Sequence, residues 1–247
     1  MQLEAKPKMI LFDYGDTLLS EPDWNPLRGQ KALFKHIKSN KHNLTPHEVC
    51  DYSLKLFEQI GIARKHGFEI HNHAFQKLLY ESLEIELTIS YPEAEKIFWD
   101  HTTPGAAMPG ASKMLDSINE QGIRSGVISN ISFSGAALIE RLNRLLPNNH
   151  FEFVIASSEY IFRKPSSLLF ELALKKAGLP ATEVWFCGDN VEADIEGASQ
   201  VGIFPVWYES FSADTSMHSK KAKRPKCEHL HIHEWHELID ILERAGD

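Results

Sequence analysis

The sequence predicts an α/β fold, a doubly wound, Rossmann-like parallel sheet with an inserted α-helical cap. Two observations carry this. From residue 110 onward, short apolar runs alternate with helical patterns, and such alternation implies right-handed crossovers onto a parallel sheet with helices on both faces. One further strand, "KMILFD" at 8–13, stands far from the next, "RSGVISN" at 124–130, and the hundred or so residues between them read as helical. A helical block is therefore inserted after the first strand.

The elements follow in order. In the inserted block, "TPHE" at Thr45–Glu48 combines an N-cap threonine, proline at the first helical position and glutamate at the third, which is a capping box. "SYPE" at Ser90–Glu93 has the same N-cap and N3 chemistry, and "HAFQKLLYESL" between them carries apolar residues at helical spacing. After residue 110 come the helix "GASKMLDSINEQG", the strand "SGVISN", the helix "SGAALIERLNRLL", the strand "FEFVIAS" and the helix "SSLLFELALKKAG". The strand "EVWFCGD", the helix "EADIEGASQVG" and the strand "FPVWY" complete the alternation. Residues 209–226 are polar, aperiodic and carry a basic cluster, and read as a mobile loop. "HLHIH" at 229–233 alternates as a strand, and "EWHELIDILERAG" closes the chain as an amphipathic helix. The expected division is an α/β core of residues 1–20 and 105–247 and a cap of residues 21–104.

The 247 residues are 43% hydrophobic, enough apolar material for a sizeable core. No apolar run approaches the ~18 residues of a membrane span, and no signal peptide is visible, so no membrane partner and a cytoplasmic location are expected. Three cysteines without CxxC spacing fit reduced thiols. The formal charge of −8 argues against nucleic acid as a partner.

In a doubly wound sheet, ligands bind outside the carboxyl ends of the strands. The residues ending these strands are Asp13, then Ser129 and Asn130, then Asp189, with Asp194 five positions further on and Lys164 just before Pro165 and a new helix. Carboxylates, a hydroxyl and an ammonium at one edge suit phosphoryl transfer, in which catalysis is mostly positioning and charge stabilisation. Carboxylates from separate strands suit Mg²⁺, which prefers oxygen ligands, and Asp13 and Asp189 are placed to hold it.

At these residues the sequence resembles the haloacid dehalogenase-like hydrolase superfamily over nearly its whole length. Four motifs stand in order: "FDYGDTL", "VISN", "RKP" and "CGDNVEAD". The inserted helices correspond to the superfamily's cap between its first two motifs. The resemblance implies a phosphatase acting on a small phosphorylated substrate, with Asp13 as the nucleophile that forms an aspartyl-phosphate. It implies that Ser129 hydrogen-bonds the phosphoryl group, with Asn130 beside it in the substrate site, and that Lys164 neutralises the group. Asp189, Asp13 and the main-chain carbonyl of Gly15 would ligate Mg²⁺, and Asp194 would support that site.

The departure is at Gly15. Phosphatases of the superfamily usually read "DxDGT", where the second aspartate protonates the leaving group; here the order is "DYGDT". Side chains two apart on an extended segment share a face, so Asp16 has the wrong parity unless the turn rotates it inward. Two alternatives therefore stand beside the phosphatase: a carbon–halogen hydrolase, and a catalytically weakened member that binds a phosphorylated ligand or a protein.

Other residues read more plainly. His229, His231 and His233 alternate on one strand face, but no carboxylate or cysteine sits at a diagnostic spacing, so they read as an exposed face. Cys187 reads as a small core residue, and the run Lys220–Lys226 as a solvated loop. In the cap, Trp24, His71, His73, Trp99 and His101 fit a substrate pocket and helix packing equally well.

Overall fold

The structure is a computed structural model that describes residues 6–210 and 224–245. In chain order, β1 (Met9–Phe12) and a short β2 (Leu19–Ser20) lead into α1 (Pro26–Leu33), β3 (Ile37–Asn40), α2 (Pro46–Lys65), α3 (Asn72–Ser82), β4 (Ile85–Leu87) and α4 (Tyr91–Thr102). A short β5 (Ala106–Ala107) then precedes α5 (Ala111–Glu120), β6 (Arg124–Ser129), α6 (Gly135–Leu145), β7 (Phe151–Ala156), α7 (Ser167–Ala177) and β8 (Val184–Gly188). A π-helical turn at Val191–Glu196 and α8 (Gly197–Gln200) join β8 to β9 (Phe204–Tyr208), and β10 (Leu230–Ile232) and α9 (Trp235–Arg244) follow.

The central sheet has the order β10-β9-β8-β1-β6-β7 and is parallel throughout. β1 lies in its middle and is buried on both faces. Ile10 and Phe12 face one apolar layer with Met114, Leu115, Leu138, Leu142 and Trp235, whereas Met9 and Leu11 face the other with Leu169, Phe170 and Ala173. Alternate residues of one strand thus serve two cores, which is what period-2 side-chain direction requires of a doubly wound sheet.

The segment between β2 and β5 has its own apolar cluster, including Leu33, Val49, Leu79, Tyr80, Ile85 and Ala94. Both predicted capping boxes are present, at Thr45/Glu48 and at Ser90/Glu93. This block is not wholly helical as the sequence implied. β3 and β4 form a two-stranded antiparallel ribbon with a register shift between Ile37 and Ser39, and runs of three or four residues are too short for periodicity to separate from helix. β2 pairs antiparallel with β5, so the chain leaves and re-enters the core along one small ribbon. Most of the polar stretch 209–226 lies outside the described residues. Among those described, no helix is long and apolar enough to cross a membrane.

Candidate active site

Asp13 follows β1 directly, and its main-chain N–H donates to the Cys187 carbonyl at 2.9 Å, extending the β1–β8 pairing by one residue. The side chain therefore emerges where the sheet ends. Ser129 is the last residue of β6 and is buried; Asp189 follows β8. Three neighbouring strands, β8, β1 and β6, thus deliver the residues at their carboxyl ends to one edge.

Lys164 joins these groups from the loop after β7. Its ammonium donates to Asp13 Oδ1 at 2.7 Å and to the Ile128 carbonyl at 2.7 Å, and pairs with Asp194 Oδ1 at 2.6 Å. Burial alone would push this ammonium down, but Asp13 and Asp194 outweigh burial and hold it above the ordinary lysine value. Asn130 fixes the lysine's main chain from both sides: its Oδ1 accepts from the Lys164 N–H at 2.7 Å and its Nδ2 donates to the Lys164 carbonyl at 2.9 Å. The amide assigned to substrate from the sequence is thus engaged in positioning Lys164.

Asp194 stands on the π-helical turn, where its Oδ2 accepts from the Asn190 N–H at 3.0 Å. A Cβ on Gly188 would lie 2.5 Å from the Cβ, Cγ and Oδ2 of Asp194, so only glycine lets that carboxylate approach the end of β8. Burial pushes the Asp194 carboxyl up to about 6, with Lys164 opposing. Asp189 is raised well above the carboxylate range, first by burial and then by the charges of Asp194, Asp13 and Asp16.

Asp13, Asp189 and Asp194 each bring a carboxylate oxygen to within 4.8 Å of the others. The Lys164 ammonium faces this cluster, Asp16 adds its charge at Asp189, and that negative excess fits a divalent cation with oxygen ligands.

Asp16 lies in the turn between Asp13 and β2. Asp16 itself adopts φ 52°, in the left-handed region, with its N–H on the Leu19 carbonyl at 2.8 Å. Its charge acts on Asp189. Rotation occurs at Asp16 and not at Gly15, whose φ lies outside that region and whose missing Cβ would meet nothing within 4 Å.

Of the cap rings, Trp24 and Trp99 both meet Phe133, and those of His71 and His73 lie 4.4 Å apart. Trp99 is buried, stacked on Phe133 at 3.9 Å with the Arg141 guanidinium 4.5 Å from its ring, and is a packing residue. Trp24 is 39% exposed. His71 caps α3 and lies 3.5 Å from Glu159, His73 contacts Glu95 at 2.9 Å, and His101 bonds to the Ile97 carbonyl at 2.9 Å. Cys187 is fully buried in the core, and burial pushes its thiol up.

Several groups at the site carry no local sequence signal. Glu69, buried in the loop after α2, accepts from Arg64 at 2.9 Å, from Ser132 at 3.1 Å, from Ser157 at 3.2 Å and from Arg163. Arg163 adjoins Lys164, so the inserted block is tied to the core one residue from the ammonium. Trp207 on β9 donates its indole N–H to the Asp189 carbonyl at 3.2 Å.

Comparison with known proteins places the chain in a family. The chain is 30% identical over 204 residues, 81% of each chain, to glyceraldehyde 3-phosphate phosphatase of Pyrococcus abyssi. It is 26% identical to ribulose-1,5-bisphosphate 5-phosphatase of Halopiger xanaduensis over 94% of this chain and 98% of that one. The crystal structure of a 2-haloacid dehalogenase from Pseudomonas syringae pv. Tomato superposes with a TM-score of 0.64 at 21% identity, over 97% of this chain and 99% of the other, which shows a shared fold. Residues 7–202 match the model of the haloacid dehalogenase-like hydrolase family, and the chain belongs to that family.

Proposed function

We propose that the protein is a Mg²⁺-dependent phosphohydrolase acting on a small phosphorylated metabolite through an aspartyl-phosphate on Asp13. The observation that carries this reading is Lys164, whose ammonium is held between Asp13 and Asp194 at the carboxyl edge of the sheet. A carboxylate nucleophile next to a fixed cation suits attack on a phosphoryl group, whose oxygens need neutralising as the carboxylate approaches. Both curated relatives described above are named as phosphatases.

In this reading a carboxylate oxygen of Asp13 attacks phosphorus, and the bond from phosphorus to the ester oxygen breaks. The departing oxygen leaves as an anion and is protonated by solvent, and water then cleaves the acyl phosphate to release inorganic phosphate and regenerate the Asp13 carboxylate. Ser129 donates to a phosphoryl oxygen, and Lys164 neutralises another. Asn130 keeps Lys164 in place through both of its main-chain polar groups. Asp13 and Asp189, with the Gly15 carbonyl, would hold Mg²⁺ and Asp194 would support it; the ion supplies charge neutralisation of the phosphoryl oxygens. The carbon–halogen alternative is disfavoured by the same acidic cluster, which repels a haloacid carboxylate.

The test is hydrolysis of p-nitrophenyl phosphate with and without Mg²⁺, beside halide release from chloroacetate. Metal-dependent phosphate release is expected, and Asp13→Asn should abolish it while leaving the fold intact, because the amide is nearly isosteric but a poor nucleophile. Retained turnover in folded Asp13→Asn protein, or halide release by the wild type, would overturn the reading.

A further inference from the structure

The sequence left the alternating histidines of the last strand without a carboxylate partner. The fold provides one. β10 pairs in parallel with β9, placing His231 opposite Trp207, and the next residue of the neighbouring strand, Glu209, donates its main-chain N–H to the Ile232 carbonyl at 2.9 Å. Glu209 is thereby brought beside His231 and His233. His231 Nε2 and Glu209 Oε2 are 3.0 Å apart. Glu209, His231 and His233 each offer a ligating atom, and these atoms all lie within 4.8 Å of one another.

The rings are also oriented from behind, as ligating imidazoles usually are. His233 Nδ1 lies 2.7 Å from the Glu209 carbonyl oxygen. A carbonyl only accepts, so Nδ1 carries the hydrogen and the lone pair resides on Nε2. His231 stacks on the indole of Trp207 with ring centroids 4.1 Å apart and planes 11° from parallel, which fixes the plane of its ring. His229 stands outside the group: its ring is 6.4 Å from that of His231, and its Nδ1 bonds to the Cys227 carbonyl at 2.8 Å.

We propose that Glu209, His231 and His233 form a second cation site, at the edge of the sheet, for a borderline first-row divalent ion of the Zn²⁺ type. Two imidazoles and one carboxylate make the donor set of zinc sites that keep a fourth position for solvent. The same set is a poor match to Mg²⁺, which takes oxygen ligands at the acidic cluster. The two sites therefore select different ions. They are also linked, because the indole stacked on His231 is the one that donates to the Asp189 carbonyl. The contact between His231 and Glu209 is the one the ion replaces, so binding places a charge beside the ring stacked on Trp207.

The test is calorimetric titration of the full-length protein with Zn²⁺ at saturating Mg²⁺, supported by the visible spectrum of the Co²⁺-loaded protein and by tryptophan emission. One equivalent should be lost, or weakened by at least ~10-fold, in Glu209→Gln, His231→Ala and His233→Ala. His229→Ala should keep it. Asp189→Ala should also keep it, which separates this site from any Zn²⁺ held by the acidic cluster. The three ligands are partly exposed, so these variants are expected to fold, and circular dichroism checks that. The emission change on Zn²⁺ addition should vanish in Trp207→Phe while the bound equivalent remains. Wild-type stoichiometry and affinity in both His231→Ala and His233→Ala, or loss of the equivalent in Asp189→Ala instead, would overturn the proposal.

Discussion

Gly15→Asp is the substitution that most directly tests how the leaving group gains its proton. An ideal Cβ at Gly15 meets nothing within 4 Å, and its φ is one that any residue adopts. Gly15→Ala should therefore fold normally and gain about 0.4–1 kcal/mol from the reduced freedom of the unfolded chain. An aspartate there lies two residues from Asp13, about 7 Å along an extended segment. At an effective dielectric constant near 20, one neighbouring carboxylate at that distance repels it by about 2 kcal/mol. That repulsion favours the protonated form, which is the state a general acid needs. With a glycine at this position the leaving oxygen departs without help from residue 15, so the wild type should favour aryl and acyl phosphates over alkyl phosphates. General acid catalysis is typically worth roughly 10²–10⁴-fold, or about 3–5 kcal/mol of barrier. Gly15→Asp should narrow the gap between aryl and alkyl substrates by part of that factor, whereas Gly15→Ala should leave it unchanged. Asp16→Asn is the companion variant: it should shift both substrate classes together if Asp16 acts only through its charge on Asp189, and alkyl phosphates selectively if Asp16 supplies the proton. The assay is single-turnover kcat/KM on a matched aryl and alkyl pair. A wild type that hydrolyses both at similar rates, with chemistry limiting and Asp16→Asn harmless, would refute the reasoning.

Two further perturbations probe the acidic cluster. Gly188→Ala forces a methyl to within 2.5 Å of three Asp194 atoms, so denaturant titration should show a loss of about 1–3 kcal/mol and Mg²⁺ affinity should fall; unchanged values of both would contradict the packing. Asp194 is raised to about 6 and Asp189 well above its ordinary value. In the metal-free protein both keep protons that the unfolded chain has released above about pH 4, so their ionisation costs stability as pH rises toward and beyond 6. In the proposed site Mg²⁺ would be held by ionised Asp189 and supported by ionised Asp194, so its thermal stabilisation should be larger at about pH 7 than at about pH 5; equal shifts at both would argue against that arrangement.

Much of this site was legible in the sequence because strand ends are. β1, β6 and β8 are short apolar runs buried on both faces, and each terminates where a polar residue interrupts it, so Asp13, Ser129 and Asp189 announce the edge they share. Lys164 was legible only through its place before a proline and a helix. The contacts that orient these groups were not, since they join residues far apart in the chain. Glu69 meets Arg163 across 94 positions, and Glu209 meets His231 across a crossover of 22. Asn130 illustrates a second limit. A polar side chain at a strand end serves ligand or backbone equally well in sequence terms, and only the loop that carries Lys164 determines which. Trp99 illustrates a third: the face of its helix fixed neither Phe133 nor Arg141 as its neighbour.

The contacts joining the inserted block to the core combine charge with apolar packing. Near Lys164, Glu69 is shared by Arg64 and Arg163. At the start of α6, Glu95 accepts from the Ser134 N–H at 2.8 Å while contacting His73. Beside the first of these, Phe68 packs on Phe162 with ring centroids 5.7 Å apart and the Arg163 N–H donates to the Gly67 carbonyl at 2.9 Å. Another seam surrounds Arg141. Its guanidinium is buried, donates to Glu21 at 2.7 Å, to Tyr14 at 3.0 Å and to the Thr103 carbonyl at 3.1 Å, and packs on Trp99, which itself stacks on Phe133. Glu21 follows β2 and Thr103 precedes β5, so this cluster grips both chain crossings at once. Separating it would expose aromatic surface, at ~25 cal/mol per Å², and leave Arg141 without its partners. The insertion is therefore held where the chain crosses, beside the Tyr14 that follows Asp13, and again at the loop next to Lys164, where Phe68 and Glu69 meet Phe162 and Arg163.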